Sequence, residues 1–519
     1  MYSLTRSVML SSIKADLINV EVQIYKGIPN FIIIGLPSKA IVEAKERVSS
    51  ALAASALPLA PKRVLVNLSP ADIRKDGPQF DFAIAVAVLR SLKYIEIPAE
   101  FFMECCFIGE LSLKGELKKV SASLALVVSA IENGMKNIFI AKDSLDELLI
   151  LSENLNFMKD TKIFFIDNLK TFYEISRNFS LAQDLEFREI LKTNSCQYFT
   201  SVNYPAQSLN PKSINSDNSE NKISIDNVIG QSLAKRALEI ALTGKHHLFM
   251  IGPPGCGKSM LAKAALSLMP ELNFEQALEL NILNSLVSQN TDIKQLVPFR
   301  TPHSSSTAAA IIGGGVPVSP GEVSLAHHGI LFLDEFAEFE RFTIEQLRTV
   351  LDNKEVVLNR ARQKIVFPAD FLLIAASNPC PCGYLGDLKK ICTCSLSQIQ
   401  RYQAKLSAPI LDRIDLFVRM SRLDASEINL LSKSTRENSS SLVKEKISKA
   451  RLFAQERDLD LELDHSSQLL LNEAVINLDL SSRVQTKIIR IARTIANLEA
   501  RVKINDEHLA EALQYRQID

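Results

Sequence analysis

The chain has 519 residues, of which 47% are hydrophobic and 23% are charged. This composition is typical of soluble globular proteins, and the length predicts about three domains. Basic and acidic residues both number 59, so bulk charge gives no evidence for a nucleic-acid partner, although a local basic patch could still bind one. No apolar run approaches the roughly 18 residues that span a bilayer, and the first residues lack a signal-peptide layout. We therefore expect a cytoplasmic protein that does not enter a membrane.

The first part of the chain, residues 1–180, alternates strand-like and helix-like segments. Val20, Val22 and Ile24 are separated by polar residues, which is the period of a half-buried strand. Ser38 is a candidate N-cap for a helix that continues to about Ala56. Further strand-like runs are Phe31–Ile34, Val64–Leu68, Phe107–Leu113, Asn137–Ile140 and Ile163–Ile166. This alternation predicts an α/β domain.

The following stretch, residues 181–222, has the composition of an exposed linker. From Cys196 onward it is rich in Ser, Asn, Gln and Pro and poor in large apolar residues, so it cannot bury enough surface to offset its ordering entropy. The alternative is an ordered surface loop. Residues 223–425 are predicted to form an α/β nucleotide-binding core. Residues 426–519 contain no strand-like run and are predicted to form a helical lid.

A glycine-rich motif marks the core. The residues from Gly252 to Ser259 fit G-x-x-x-x-G-K-[ST], with a strand-like run before them and a helix-like run after them. Such a loop directs backbone N–H groups at phosphates, its lysine reaches the β- and γ-phosphates, and its hydroxyl ligates Mg²⁺. We therefore predict ATP and Mg²⁺ as cofactors, with nucleotide contacts from Gly252, Pro253, Pro254, Gly255, Cys256, Gly257, Lys258, Ser259 and Met260.

Two further buried strands are predicted to end at the same site. The apolar run Ile330–Leu333 leads into Asp334, predicted to hold Mg²⁺ through water, and Glu335, predicted to activate the attacking water. The run from Phe371 ends at Asn378, which could orient that water or contact the γ-phosphate. A turn-forming asparagine is the alternative for Asn378.

Four cysteines lie close together after Asn378. Cys380, Cys382, Cys392 and Cys394 form C-x-C-x9-C-x-C, and four thiolates on one loop can surround Zn²⁺ tetrahedrally. The spacing is tighter than that of common zinc motifs. A zinc site is our prediction, with a reduced thiol cluster or a redox switch as the alternatives.

Together these motifs resemble an AAA+ ATPase with Asn378 at its sensor-1 position. The run Leu411 to Leu416 resembles the arginine-finger segment of the magnesium-chelatase and MCM branch, which implies that Arg413 reaches ATP bound by a neighbouring subunit. The run Ser481 to Arg483 resembles that branch's sensor-2 motif, which implies a catalytic role for Arg483.

Two insertions resemble loops of the same branch. The glycine-proline tract from Ile311 to Gly321 resembles its helix-2 insertion, which projects into the pore of a ring. The segment Lys354 to Phe367 resembles its pre-sensor-1 hairpin. Basic residues on such a hairpin could track a phosphate backbone, an ordinary basic surface hairpin being the alternative. The candidate DNA contacts are Arg360, Arg362 and Lys364.

The whole chain resembles the YifB/ComM family of magnesium-chelatase-like proteins. The resemblance rests on Phe31–Pro37, Lys75–Pro78, the glycine loop, His303 with Gly313–Gly315, Leu333–Glu335 and Asn378–Gly383. Two positions depart from the family pattern: Ser304 replaces a frequent His, and His328 a frequent Asn. The resemblance implies a homo-hexameric DNA helicase that promotes branch migration of recombination intermediates in natural transformation. An AAA+ protein remodeller without DNA activity is the alternative.

Residues 1–180 resemble the Lon protease domain, which has an S5-like α/β fold. Lys75-Asp-Gly-Pro78 aligns with the Lon motif, but Gln79 occupies the nucleophile position, and Leu124 and Leu126 occupy the positions for the catalytic lysine. Without nucleophile and base no acyl-enzyme can form. The resemblance therefore implies an inactive domain that builds the ring or handles substrate.

Overall fold

A computed structural model of the chain describes residues 1–10, 13–59, 61–95, 97–154, 158, 161–181, 197–199, 223–287, 296–315, 318–360, 363–387, 389–422, 439–456, 463–477 and 480–516. The described residues divide into two compact units. The first comprises Met1–Asn210 with Phe274–Lys294, and the second comprises Pro211–Asn273 with Gln295–Asp519. A segment from inside the predicted nucleotide-binding core thus belongs, by its contacts, to the N-terminal unit.

The elements of the N-terminal part are, in chain order, β1 (Tyr2–Leu10), β2 (Ala15–Tyr25), β3 (Asn30–Ile34), α1 (Lys39–Ala54), β4 (Arg63–Ser69), α2 (Asp81–Ser91), α3 (Ala99–Met103), β5 (Cys105–Ile108), β6 (Glu110–Leu111), β7 (Leu117–Lys118), α4 (Ser123–Glu132), β8 (Asn137–Ala141), α5 (Leu145–Leu148), β9 (Lys162–Ile166), α6 (Leu169–Leu181) and β10 (Gln197–Phe199).

The elements of the remaining chain are α7 (Ser232–Gly244), β11 (Leu248–Ile251), α8 (Lys258–Leu268), α9 (Phe274–Ser285), β12 (Phe299–Arg300), α10 (Ala308–Ile312), β13 (Gly313–Gly314), β14 (Ser319–Pro320), α11 (Glu322–Leu325), β15 (Ile330–Leu333), α12 (Arg341–Asn353), β16 (Glu355–Arg360), β17 (Gln363–Pro368), β18 (Leu372–Ser377), α13 (Leu396–Gln403), α14 (Ala408–Leu411), β19 (Leu416–Arg419), α15 (Ser439–Gln455), α16 (His465–Asn477), α17 (Ser482–Leu498) and α18 (Asp506–Gln514). Helix α9 lies in the segment that clusters with the first unit.

The first unit contains two four-stranded sheets, in the orders β1-β2-β4-β3 and β10-β9-β8-β5. Strands β1, β2 and β4 pair antiparallel, whereas β5, β8 and β9 are parallel. Helix α2 is buried along almost its whole length because its sequence is apolar on every face. Within the core, the Phe82 ring packs edge-on against Phe107 and Phe172.

Three local expectations for this unit were wrong. Ser38 precedes α1, but its side chain makes no capping hydrogen bond. The run Phe107–Leu113 does not form one strand, because the backbone of Gly109 pairs with Gln79 and Phe82 and interrupts the ladder. Gln197–Phe199, inside the predicted linker, forms a strand antiparallel to β9; the other residues of 182–222 lie outside the described part.

The second unit is built on a parallel five-stranded sheet in the order β12-β15-β18-β11-β19. Strand β11, which leads into the glycine loop, lies between β18 and β19, and the buried strand β15 pairs with the other edge of β18. One core cluster joins apolar residues of this sheet to residues of α7, α8, α15 and α17. The described helices between residues 439 and 516 therefore pack on the same apolar core as the sheet.

The segments that connect the strands of this sheet contain two short antiparallel strand pairs. Strands β13 and β14 pair antiparallel within the glycine-proline tract, and β16 pairs with β17 in the basic segment. The segment Lys354 to Phe367 therefore adopts the hairpin form that the resemblance implied, whereas the strand pairing in the glycine-proline tract, expected only as a projecting loop, was not predicted. Among the described residues, none of the helices is both long and apolar enough to cross a bilayer.

Candidate nucleotide-binding site

The glycine loop joins β11 to α8 at the carboxyl edge of the parallel sheet. Gly257 has φ +98° and immediately precedes α8, and Gly255 has φ +79°, so both occupy a region that side chains disfavour. A Cβ on Gly252 would lie 2.4 Å from the carbonyl oxygen of Met420, so this position leaves no room for a side chain. The loop therefore has the turn and the close backbone approach that a phosphate cradle needs.

Lys258 is buried in this loop, and its ammonium joins the loop to the neighbouring strand. Its Nζ donates hydrogen bonds to the carbonyls of Gly252 at 2.6 Å and Pro253 at 3.1 Å, and to Oδ1 of Asn378 at 3.2 Å. Burial lowers the pKa of Lys258, against the opposing effect of Cys256, Asp334 and Glu335. The three oxygen atoms that accept its hydrogen bonds are all neutral, so a phosphate would supply a negative charge in direct contact with this ammonium.

The hydroxyl and carboxylate predicted to serve Mg²⁺ lie together. Ser259 Oγ donates to Asp334 Oδ2 at 2.6 Å, and the other carboxylate oxygen accepts the N–H of Glu335 at 2.9 Å. Both are hard oxygen donors of the kind that Mg²⁺ prefers, so the residues present fit that ion. Glu335 is exposed and has φ +51°, an uncommon conformation for a non-glycine residue that is frequent at functional sites.

Arg413 and Arg483 share one acidic partner. Arg413 Nη2 lies 2.8 Å from Asp352 Oδ2 and its Nε lies 3.1 Å from Oδ1, while Arg483 Nη2 lies 3.7 Å from Oδ1. The hydrogen bond from Arg413 lowers the pKa of Asp352. Arg483 is about half exposed, whereas Arg413 is 10% exposed. The two arginines predicted as finger and sensor are thus brought together by an aspartate that sequence reasoning missed.

A second unanticipated contact anchors the helix that carries Arg483. Lys487 Nζ lies 2.7 Å from Asp415 Oδ1, and the other oxygen of Asp415 accepts the backbone N–H of His247. Asp415 lies two residues after Arg413 and one before β19. The acidic residue at the end of the motif Leu-Asp-Arg-Ile-Asp therefore connects α17 to the sheet. The sequence signal for this role is the second aspartate of the motif, but the sequence does not show that Lys487 is its partner.

The four-cysteine loop (Cys380 to Cys394) brings its thiols together. The Sγ atoms of Cys380, Cys382 and Cys392 are 3.4 to 3.6 Å apart, and the Sγ atoms of all four cysteines lie within 4.8 Å of one another. Tetrahedral coordination with Zn–S bonds of about 2.3 Å requires sulfur separations of about 3.8 Å. The donor set and its spacing therefore fit Zn²⁺.

The predicted DNA contacts lie on the β16–β17 hairpin. Arg360 ends β16 opposite Gln363, and Lys364 on β17 is exposed. Arg362 lies outside the described residues. Lys354, at the base of this hairpin, is paired with Asp370 at 3.1 Å.

Three family models match the chain: "Subunit ChlI of Mg-chelatase" over residues 20–144, "Magnesium chelatase, subunit ChlI" over 224–428 and "Magnesium chelatase, subunit ChlI C-terminal" over 436–516. The mixed α/β fold with its parallel sheets fits this class, the magnesium-chelatase-like AAA+ proteins.

Comparison with individual proteins identifies the family within this class. The chain is 35% identical to the competence protein ComM of Haemophilus influenzae, over 97% of this chain and 95% of that protein. It is 36% identical to the uncharacterized protein YifB of Escherichia coli, over 98% and 95%. The magnesium-chelatase 67 kDa subunit of Chlorobaculum tepidum is 25% identical, over 30% of this chain and 23% of that protein. The chain belongs to the YifB/ComM family of magnesium-chelatase-like proteins.

Proposed function

We propose that this protein is an ATP-driven ring motor that acts on DNA. The observation that carries the proposal is the cluster of Lys258, Ser259, Asp334 and Asn378 at one edge of the parallel sheet. Its relation to a protein named for competence supports DNA as the substrate, and branch migration during natural transformation is the role we infer. The cytoplasmic location and the hexameric ring stay predictions.

Each site residue has a distinct task in this proposal. Lys258 exchanges its carbonyl partners for phosphate oxygens when nucleotide enters. Ser259 and Asp334 would hold Mg²⁺, which when bound neutralises phosphate charge. Glu335 accepts a proton from the attacking water, and Asn378 orients that water. Arg413 stabilises the transition-state charge on nucleotide held by the next subunit, as arginine fingers do.

Three features have supporting roles. The β13–β14 and β16–β17 hairpins line the central pore, and Lys364, with Arg360 and Arg362, contacts the DNA backbone. The four-cysteine loop holds one Zn²⁺. Residues 1–180 form a Lon-like domain without peptidase activity, and residues 426–519 form the lid.

The test is the rate of ATP hydrolysis by the purified full-length protein with and without branched DNA. We expect DNA to raise the wild-type rate. Glu335→Gln should lower turnover at least about 100-fold while nucleotide still binds, because a general base contributes about that much. Glu340→Gln, at an exposed acid nearby, is the matched control.

A second pair of variants tests the phosphate lysine. Lys258→Ala should abolish both nucleotide binding and strand displacement, whereas Lys263→Ala, an exposed lysine on the same helix, should leave both intact. An assembled protein whose ATPase does not respond to single-stranded, duplex or branched DNA would rule out the DNA motor. Capture of a protein partner by Glu335→Gln would then favour a remodeller.

A further inference from the structure

Arg422, which lies outside all of the recognised motifs, contacts the backbone of the glycine loop. Arg422 donates to the carbonyl oxygen of Pro254 from Nε at 3.0 Å and from Nη2 at 2.7 Å. Pro254 is in the centre of the loop. Since C=O and the following N–H point in opposite directions across a planar trans peptide, fixing this carbonyl also fixes the direction of the Gly255 N–H.

The same guanidinium reaches the four-cysteine loop. Arg422 Nε lies 3.7 Å from Asp387 Oδ2, and its guanidinium carbon lies 5.3 Å from the centre of the Tyr384 ring. The Asp387 side chain is 2% exposed, and its Oδ2 accepts no hydrogen bond from the described residues. Its Oδ1 accepts the backbone N–H of Lys389 at 2.7 Å, which fixes the carboxylate within the loop. Arg422 thus lies between Asp387 and Pro254.

A second contact joins the two loops directly. Gly383, the residue after Cys382, has φ +83°, and a Cβ at this position would lie 2.7 Å from Cδ of Pro254. Its N–H donates to the carbonyl of Cys380, so the turn of the four-cysteine loop packs its backbone onto the proline ring. The position of this turn depends on Cys380 and Cys382, the first two thiols of the cluster.

We propose that Arg422 is a positioning residue for nucleotide binding, and that through Arg422 and Gly383 the four-cysteine loop holds the glycine loop in its phosphate-binding shape. This inference rests on the proposed function, since it concerns the affinity of the same site for ATP. A loop already held in shape loses less conformational entropy when phosphate binds. Loss of the metal, which releases the turn at Cys380 and Cys382, should therefore weaken nucleotide binding without touching a phosphate ligand.

The first experiment measures the affinity of the full-length protein for a fluorescent ATP analogue. We expect Arg422→Ala to raise the Kd about ten-fold, the effect of losing a charge-assisted hydrogen bond, and Arg422→Lys to restore part of the affinity. The KM for ATP should rise while kcat at saturation stays close to the wild-type value. Because Arg422→Ala leaves the buried Asp387 carboxylate without its guanidinium, the double variant Arg422→Ala, Asp387→Asn should keep the raised Kd while its thermal unfolding without nucleotide stays close to that of the wild type, which a general structural defect would not allow. Arg401→Ala, at an exposed arginine on α13, is the matched control.

The second experiment tests whether the metal acts through Arg422. Cys382→Ser should lower zinc content and raise the Kd in the wild-type background, but raise it much less in the Arg422→Ala background. Gly383→Ala leaves all four thiols in place, so it should raise the Kd at unchanged zinc content even if Cys382→Ser fails to fold.

The outcomes separate the two proposals. Failure of the wild-type protein to bind the analogue would refute the proposed function itself. Tight wild-type binding with equal Kd values for the Arg422, Gly383 and Arg401 variants would refute only the positioning role. Fully additive effects of Cys382→Ser and Arg422→Ala would refute the connection between the metal and Arg422.

Discussion

A buried ion pair in the first unit allows a prediction whose size follows from the structure. Arg47 on α1 donates to both oxygens of Asp81, from Nε at 2.6 Å and from Nη2 at 3.0 Å. The Asp81 side chain is fully buried, and burial raises its pKa to about 6 although Arg47 acts in the opposite direction. We predict that Arg47→Met destabilises this unit, and that the loss grows with pH.

The sign and size follow from proton linkage. Because the pKa of Asp81 is above its unfolded value, the folded state binds more protons, and the stability due to this group falls as pH rises from about 4 to about 6. Removal of Arg47 raises this pKa further. In the Arg47→Met variant the free energy of unfolding therefore continues to fall above pH 6, by about 1.4 kcal/mol for each pH unit, whereas in the wild type the decrease has ended. The destabilisation by Arg47→Met at pH 8 should thus exceed that at pH 5 by up to about 2.7 kcal/mol.

The assay is hydrogen exchange of amides in α2, corrected for intrinsic exchange at each pH, because it reports the opening free energy of this unit alone. Arg74→Met, at an exposed arginine of the same unit, is the control. The double variant Arg47→Met, Asp81→Asn should recover much of the lost stability, because no unpaired charge stays buried. An equal penalty for Arg47→Met at pH 5 and pH 8 would refute the reasoning.

Three further predictions concern the second unit. Asp352→Asn should lower ATP turnover about ten-fold at unchanged nucleotide Kd, because Arg413 loses a charge-assisted partner; unchanged steady-state turnover would contradict this. Cys392→Ser should reduce bound zinc from about one ion per chain to none, measured by elemental analysis, and a wild-type protein without zinc would contradict the metal site. Lys487→Met should destabilise the unit by about 3 kcal/mol in thermal unfolding, because Asp415 is left buried without its ammonium partner. A melting temperature equal to that of the wild type would count against that role for Asp415.

The sequence alone determined the features that depend on neighbouring residues. The glycine loop is a continuous motif, so its turn, its lysine and the following helix could be predicted from spacing. The family could be identified from short motifs spread over the chain, and this prediction is confirmed. The α/β class follows from the local alternation of strand-like and helix-like segments, whereas the β16–β17 hairpin was implied by the family resemblance and the β13–β14 pairing was not predicted. The Lon-like character of residues 1–180 and the lid stay predictions.

Tertiary structure decided which distant residues meet. Asp352 lies 61 residues before Arg413, and Arg422 lies 168 residues after Pro254. The segment Phe274–Lys294 joins the first unit although its neighbours in sequence belong to the second. Such pairs are set by how helices and strands pack, and a single charged residue in a sequence does not specify its partner. For this reason the candidate phosphate-binding residues could be named from the sequence, whereas the residues that contact them from distant parts of the chain could not.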